Sequence, residues 1–192
     1  KYNPNIPMYV PKGFYQEGFD LAKGKAFPKA RLKNDHPHTG KLEVMDSSKI
    51  RSLYPGVALV TFDVPIITRV FGEQAFIFNL KDKGLVLVTG CCHMGIITYM
   101  EFAKERVVGG EKIYGVQGGL HISPFEDWDP QYDDLVLALH KYGIEKLGPN
   151  HCTGYVTAEK MLKAGLPLIK GTAKNGSKRD IYLGNGDTLV FA

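Results

Sequence analysis

The segment GLVLVTGCCHMG, residues 84–95, places residue types that bind metals directly after a short apolar run. The run LVLV, residues 85–88, has the length and composition of a buried strand. It is followed, past a glycine, by Cys91, Cys92 and His93. Two interpretations are open: a metal ligand at the end of a strand, or a buried thiol pair beside an ordinary histidine.

Two further histidines follow predicted strands in the same way. His121 follows the strand at 112–117 through the sequence GGLH, and His151 follows a short strand near 144–147 through GPNHCTG. His121 lies 28 residues after His93, and His151 lies 30 residues after His121. Each of these spacings suits one strand-helix-strand unit. Successive units of this kind place the carboxyl ends of their strands at one edge of a sheet, where open sheets bind ligands. The sequence therefore predicts that His93, His121 and His151 converge.

Three converging histidines are typical of a metal site. Imidazole is the commonest protein ligand of metals, and three protein ligands with one open position describe catalytic zinc. The alternative is that each histidine is an ordinary loop residue with local hydrogen bonds. Three histidines in the same structural context favour the metal. We predict a divalent metal bound by His93, His121 and His151, with zinc expected and iron or manganese as alternatives.

The cysteines adjoin these histidines, and thiolates also bind zinc. Adjacent residues of an extended segment point to opposite sides, so Cys92 and His93 cannot easily face one ion together. We interpret Cys92 and Cys152, with Thr153, as residues that lie behind the metal ligands or contact the substrate. The alternative is a nucleophilic Cys152 with a histidine as its base, although no spacing in the sequence specifically supports it.

The composition is that of an ordinary globular protein that can bury a core, with 192 residues, 44% of them hydrophobic and 23% charged. The net charge of +4, without a long basic run, does not indicate a nucleic-acid partner. Three cysteines do not make a disulfide framework, so we expect no disulfide and a reducing, cytoplasmic location. No apolar run reaches the roughly 18 residues that span a bilayer, so no membrane partner is expected.

Strands alternate with helices in the second half of the sequence, whereas the first half is rich in strands. This pattern predicts a mixed α and β fold, with helices packed outside sheets. The predicted strands lie at 6–10, 57–67, 73–80, 84–89, 112–117 and 144–147, and a final hairpin with the turn GNGD is predicted at 181–192. The predicted helices span 14–23, 95–107, 130–143 and 156–165.

Three pieces of the sequence, GLVLVTGCCHMGI, IYGVQGGLH and LGPNHCTG, resemble in their order and spacing the metallo-β-lactamase-fold superfamily. Within it they resemble the branch of 7,8-dihydropterin-6-yl-methyl-4-(β-D-ribofuranosyl)aminobenzene 5′-phosphate synthase-like proteins. The resemblance implies an α+β fold, a four-layer αββα sandwich with a metal site at one edge. It puts His93 and His151 on the third and last metal-binding positions of the superfamily, and His121 near a position where most members carry a bridging aspartate.

The superfamily's HxHxDH motif, which supplies three more ligands, does not occur in this sequence. The opening segment NPNIPMYVPKGF resembles the segment that follows this motif in relatives. The resemblance therefore implies one metallo-β-lactamase-like domain over residues 1–192, incomplete on its N-terminal side and lacking roughly the first third of a full-length relative. A partner chain or an N-terminal segment would complete it, and we expect an exposed apolar face at the strands IPMYV and VALVTF.

The activity implied by the resemblance is that of a metal-dependent hydrolase or transferase. It would act on a phosphorylated or pterin-like small molecule through a metal-activated water. The alternative is a non-catalytic scaffold or subunit whose missing half of the metal site comes from a partner chain. Intact mass and N-terminal sequencing of the purified protein, followed by elemental analysis, would distinguish them.

Overall fold

The computed structural model describes residues 3–12, 36–47, 49–66 and 70–192. The chain divides into two compact units. One comprises Lys1–Ile50 and Val60–Gln74, and the other comprises Arg51–Leu59 and Ala75–Ala192. All the candidate metal ligands belong to the second unit. The helix predicted at 14–23 lies outside the described residues.

The described residues contain eight strands in two sheets. The bounds of the strands are Met8–Pro11 (β1), Leu42–Met45 (β2), Ile50–Tyr54 (β3), Val57–Ile66 (β4), Val70–Leu80 (β5), Gly84–Thr89 (β6), Ile113–Gly119 (β7) and Lys146–Asn150 (β8). A two-stranded sheet pairs β1 with β2, and a six-stranded sheet has the order β3-β4-β5-β6-β7-β8. Three helices follow in the second unit: Ile96–Arg106 (α1), Gln131–His140 (α2) and Tyr155–Lys163 (α3).

In the first unit, β1 and β2 are parallel, with Met8 opposite Leu42. Val10 and Met45 are buried, with 3% and 4% of their surface exposed. The loop before β2 is tied to the start of the chain, because His38 hydrogen-bonds the main-chain oxygen of Ile6. His38 is therefore a loop residue that holds local structure.

The apolar face expected at IPMYV and VALVTF is present only in part. Ile6 is 57% exposed, but Leu59, Val60 and Phe62 are exposed by 4% or less. Successive residues of a strand point to opposite faces, so this run of buried residues means that both faces of β4 are covered here. The prediction of an exposed apolar surface at VALVTF is therefore wrong.

The second unit has the predicted alternation of strands and helices. β5 and β6 form an antiparallel hairpin through the turn KDKG, and β6, β7 and β8 are parallel neighbours. Parallel neighbours need crossover connections, which α1 and α2 supply. Its core includes Leu85, Leu87, Val116 and Leu147, which are fully buried. Each such side chain contributes about 1.5–3 kcal/mol by its removal from water.

Helix α1 is amphipathic as predicted. Its buried residues are Ile96, Tyr99, Met100 and Ala103. This spacing of three and four residues puts them on one stripe of the helix, which is the stripe that packs into the core. No helix in the described part of the chain is long and apolar enough to cross a membrane.

The hairpin predicted for 181–192 does not form: the segment contains turns and no strand. Hydrogen bonds to the side chain of Asp187 hold this segment in place of strand pairing. The Asp187 carboxylate accepts hydrogen bonds from the main-chain N–H and the hydroxyl of Thr172, and from the N–H of Gly184 at 2.9 Å. An aspartate that bonds nearby main-chain donors favours a turn over a strand ladder. The turn GNGD is therefore present without the pairing that sequence alone suggests.

Replacing Asp187 by asparagine is expected to lower the melting temperature at neutral pH. The hydrogen bonds from Thr172 and Gly184 hold the pKa of Asp187 below its usual value. A carboxyl whose pKa is lowered by folding stabilises the fold above its unfolded pKa, and this contribution is lost as the pH falls through the folded value. The difference between wild type and Asp187→Asn should therefore shrink in acid. Thermal melts from neutral to acidic pH test this, with Asp127→Asn, an exposed carboxylate of another loop, as the control.

Candidate metal centre

The candidate histidines follow the carboxyl ends of three neighbouring parallel strands. His93 comes after β6, His121 after β7 and His151 directly after β8. Because these strands are adjacent and parallel, their ends lie at the same edge of the sheet. The topology deduced from the sequence thus delivers all three histidines to one edge.

His93 and His121 lie against each other there. Their ring centroids are 4.2 Å apart, with the ring planes inclined by 48°. Both side chains are half-buried. The structure therefore brings two imidazoles into direct contact from the loops after β6 and β7.

His151 lies with two cysteines. The ligand atoms of Cys91, His151 and Cys152 are all within 4.8 Å of one another. His151 is exposed, Cys91 is half-buried, and Cys152 is buried with 9% of its surface exposed. Within the described ranges, all three cysteines are free thiols. Nitrogen and sulfur donors are therefore grouped at the same edge.

Cys152 connects this group to the loop after β6. Its S–H donates a hydrogen bond to the carbonyl oxygen of Cys91 at 3.5 Å. Burial, and then the neighbouring Cys91 thiol, raise the pKa of Cys152 to about 12. A nucleophilic cysteine needs a lowered pKa, because the thiolate is the reactive form. Burial therefore favours the neutral thiol, and a nucleophilic Cys152 stays a prediction.

Of the two adjacent cysteines after β6, Cys91 joins His151 and Cys152, and Cys92 does not. Cys92 is 1% exposed and lies in the core. β6 ends at Thr89 and the chain turns at Cys92 with a φ of 63°, so strand alternation does not reveal from the sequence which of the two cysteines joins the group.

Thr153 fixes the loop of His121 to the loop of His151. It is fully buried, and its hydroxyl accepts a hydrogen bond from the main-chain N–H of Leu120 at 3.0 Å. Its carbonyl oxygen accepts a second one from the N–H of Ser123 at 3.2 Å. These bonds lie on both sides of His121, so Thr153 sets the position of that histidine's main chain.

Glu126 makes a second connection between the same loops. Helix α3 begins after Gly154, which has no side chain to cap it. The carboxylate of Glu126 accepts hydrogen bonds from the N–H groups of Tyr155 and Val156, both at 3.0 Å. These are otherwise unpaired donors of the first turn, and a negative charge is favourable there. Sequence alone does not reveal this cap, because Glu126 is 29 residues from Tyr155.

The main chain turns sharply at three residues that follow β6, β7 and β8. Cys92, His121 and His151 have φ angles of 63°, 47° and 49°, in the left-handed region. Only a few per cent of non-glycine residues adopt such angles, and they concentrate at functional sites. At this edge they turn the chain immediately after each strand.

A cleft of about 470 Å³ opens beside His151. Tyr155 and Tyr182 stack at 5.0 Å in its wall, and burial raises the pKa of Tyr182 to about 12. The cleft is also lined by Asn150, Ser177, Lys178 and Arg179. The guanidinium of Arg179 pairs with Glu159 and lies 5.1 Å from the Tyr155 ring centroid. Within the described residues Lys178 has no ion-pair partner, so it is the uncompensated positive charge of the cleft.

Two proteins of Methanocaldococcus jannaschii are similar to this chain in sequence. The first, 7,8-dihydropterin-6-methyl-4-(β-D-ribofuranosyl)-aminobenzene-5′-phosphate synthase, is 35% identical over 82 residues, which are 43% of this chain and 26% of that protein. The second, uncharacterized protein MJ0448, is 34% identical over 82 residues, 43% of this chain and 29% of that protein. The matched region thus spans less than a third of either relative. No family model matches the chain.

Among solved structures, the chain is similar to Tm1679, described as a metal-dependent hydrolase of the β-lactamase superfamily. The TM-score is 0.60 at 22% identity, over 86% of this chain and 67% of that one. The TM-score shows a shared fold, and an identity of 22% shows no more than the fold. The chain therefore has the α+β fold of the metallo-β-lactamase superfamily, and over 82 residues its sequence is related to the dihydropterin-linked synthase of Methanocaldococcus jannaschii.

Proposed function

We propose that this chain carries the metal centre of a metal-dependent hydrolase or transferase that acts on a phosphorylated or pterin-like small molecule. The observation that carries the proposal is the grouping of imidazole and thiol side chains after three adjacent parallel strands. The sequence relationship to a synthase of a phosphorylated pterin compound supports the substrate class.

The donors at this edge suit a divalent metal. His93, His121 and His151 are the ligands predicted from the sequence, and imidazole binds zinc, iron and manganese-family ions. His93, His121 and His151 would hold a divalent metal, which would supply a water of lowered pKa and a positive charge that polarises a phosphoryl or carbonyl oxygen. The chain's own contribution is to fix the histidines: Thr153 holds the main chain around His121, and Glu126 holds the start of α3 behind His151.

The cleft beside His151 is the proposed substrate site. Lys178 offers an ammonium group to an anionic substituent such as a phosphate. The stacked pair of Tyr155 and Tyr182 gives the cleft an aromatic wall. An aromatic wall beside the ammonium group of Lys178 fits a flat ring that carries a phosphate.

Activity that depends on metal would test the proposal. The purified chain is stripped with a chelator, reloaded with zinc, manganese or iron(II), and assayed with phosphomonoester and phosphodiester model substrates. Hydrolysis that requires the metal supports the proposal. Metal binding without turnover contradicts the catalytic role and favours a scaffold or subunit, whose centre a partner chain or N-terminal segment completes.

Replacing Lys178 by alanine is expected to raise KM for a phosphorylated substrate about fivefold and to leave kcat nearly unchanged. An exposed ion pair contributes up to about 1 kcal/mol, and it is made equally in the ground and transition states. Steady-state kinetics separate the two constants. Lys163→Ala removes an equivalent exposed charge at the far end of α3 and serves as the control. An unchanged KM in Lys178→Ala would place the phosphate elsewhere.

A further inference from the structure

We propose that the metal held by His151 takes the sulfur atoms of Cys91 and Cys152 as its other protein ligands. This two-thiolate, one-imidazole site is an alternative to the three-histidine set that sequence reasoning predicts. The inference rests on the proposed metal centre through His151, but it does not depend on the proposed hydrolysis.

The distances are close to those of a bound ion. The three ligand atoms lie within 4.8 Å of one another. Zinc binds sulfur at about 2.3 Å and nitrogen at about 2.0–2.1 Å, so tetrahedral ligands are about 3.5–3.8 Å apart. The ligand atoms therefore need to move closer together by only about 1 Å to bind one ion. Cys91 is half-buried and His151 is exposed, so these two side chains are free to move by this distance.

Cys152 is the fixed member of the group. Its sulfur lies against Gly119, where an added Cβ would be only 2.7 Å from it. In the neutral thiol the S–H donates a hydrogen bond to the carbonyl oxygen of Cys91 at 3.5 Å, and this proton leaves when the metal binds. A side chain at position 119 would occupy the sulfur's place, so the glycine there keeps Cys152 at the sheet edge.

The backbone conformation at His151 and Cys152 allows these two adjacent residues to bind the same ion. His151–Thr153 form one turn of 3-10 helix. His151 has a left-handed φ of 49°, so the strand alternation of side chains ends at this residue. His151 and Cys152 can therefore approach one ion, which two adjacent residues of an extended segment cannot. Cys91 completes the set from the loop after β6.

The donor set determines which ions fit. Two thiolates and an imidazole with an open fourth position form a known type of catalytic zinc site. Soft sulfur donors favour zinc, cadmium and copper(I) over manganese and magnesium. On binding, each thiol gives its proton to solvent, so the ion replaces two protons and no redox step is involved.

Cobalt(II) is the probe for this ligand set. The full chain is reduced, freed of metal, and titrated anaerobically with cobalt(II). Thiolate ligands give a sulfur-to-cobalt charge-transfer band in the near ultraviolet, whereas nitrogen ligands do not. We expect the band to saturate at one cobalt per chain. Cys91→Ser and Cys152→Ser should each lower it by about half, and the double variant should lack it.

Cys92→Ala is the matched control, because Cys92 is the adjacent cysteine and lies outside the group. It should keep the full band. Cobalt binding without the band would overturn the thiolate set and leave the three-histidine set. A band that survives the double variant would also overturn it, and an absence of binding would overturn both metal proposals. X-ray absorption of the zinc-loaded wild type, which needs no variant to fold, should show two sulfur neighbours at about 2.3 Å.

Discussion

His151→Asn is expected to lower the zinc affinity of the chain by more than about 100-fold. Loss of a residue that merely supports a ligand costs about 10- to 100-fold, and His151 is a ligand in both proposed sets. Asparagine is the informative replacement, because it tolerates the left-handed φ of 49° at this position. His151 is exposed, so the loss is not expected to unfold the protein. Competition with a chromophoric chelator measures the affinity.

His140→Asn is the control for this experiment. His140 is also exposed, but it lies at the end of α2 and hydrogen-bonds the carbonyl oxygen of Ala164 at 2.6 Å. Its replacement should leave the zinc affinity unchanged. If His151→Asn also leaves it unchanged, no metal is bound at this edge through His151, and both proposed ligand sets fail.

Gly154→Ala is expected to destabilise the protein by about 2–6 kcal/mol. Two terms contribute. Gly154 has a φ of 83°, which strains any residue with a Cβ by about 1–3 kcal/mol. The added Cβ would also lie 2.0 Å from the carbonyl oxygen of Ser123, and overpacking of this kind costs about 1–3 kcal/mol more. The sum is a large part of the roughly 5–15 kcal/mol that stabilises an ordinary domain.

Gly95 provides a matched control for this substitution. It precedes α1 as Gly154 precedes α3, and its φ is also 83°. A Cβ at Gly95, however, would have no atom within 4 Å. Gly95→Ala should therefore cost only the backbone strain, about 1–3 kcal/mol. Urea denaturation measures the free energy of unfolding of both variants, and the difference between them is the cost of the contact with Ser123. Equal losses of stability in the two variants would show that this contact is not tight.

Gly154→Ala should also weaken zinc binding. The clash pushes Ser123 away, and the N–H of Ser123 is bonded to Thr153, which holds the loop of His121. Gly95→Ala leaves these bonds in place. A fall in zinc affinity in Gly154→Ala alone would link the packing of the two loops to the metal centre.

The sequence by itself determined the topology of the candidate site. The β-branched runs and the turn KDKG predicted the hairpin of β5 and β6, and the stripe at Ile96, Tyr99, Met100 and Ala103 predicted α1. Both are local patterns that depend on residues a few positions apart. The rule that crossovers return strands in parallel then brought His93, His121 and His151 to one edge. No long-range contact had to be known for this step.

Only the tertiary structure decided which side chains meet there. Cys91, and not Cys92, joins His151 and Cys152, because the chain leaves the strand and turns at Cys92 with a φ of 63°. Strand alternation says nothing about side-chain direction after such a turn. The same limit applies to the segment 181–192, where Asp187 bonds Thr172, 15 residues away, in place of a strand ladder.

The connections that hold the site together were also beyond the sequence. Glu126 caps a helix 29 residues further along, and Thr153 binds the main chain of Leu120, 33 residues earlier. A glutamate in a polar loop and a threonine after a strand have no pattern that identifies their partners. Local patterns place strands and helices because the backbone period is fixed, whereas the pairing of distant side chains depends on how those elements pack in three dimensions.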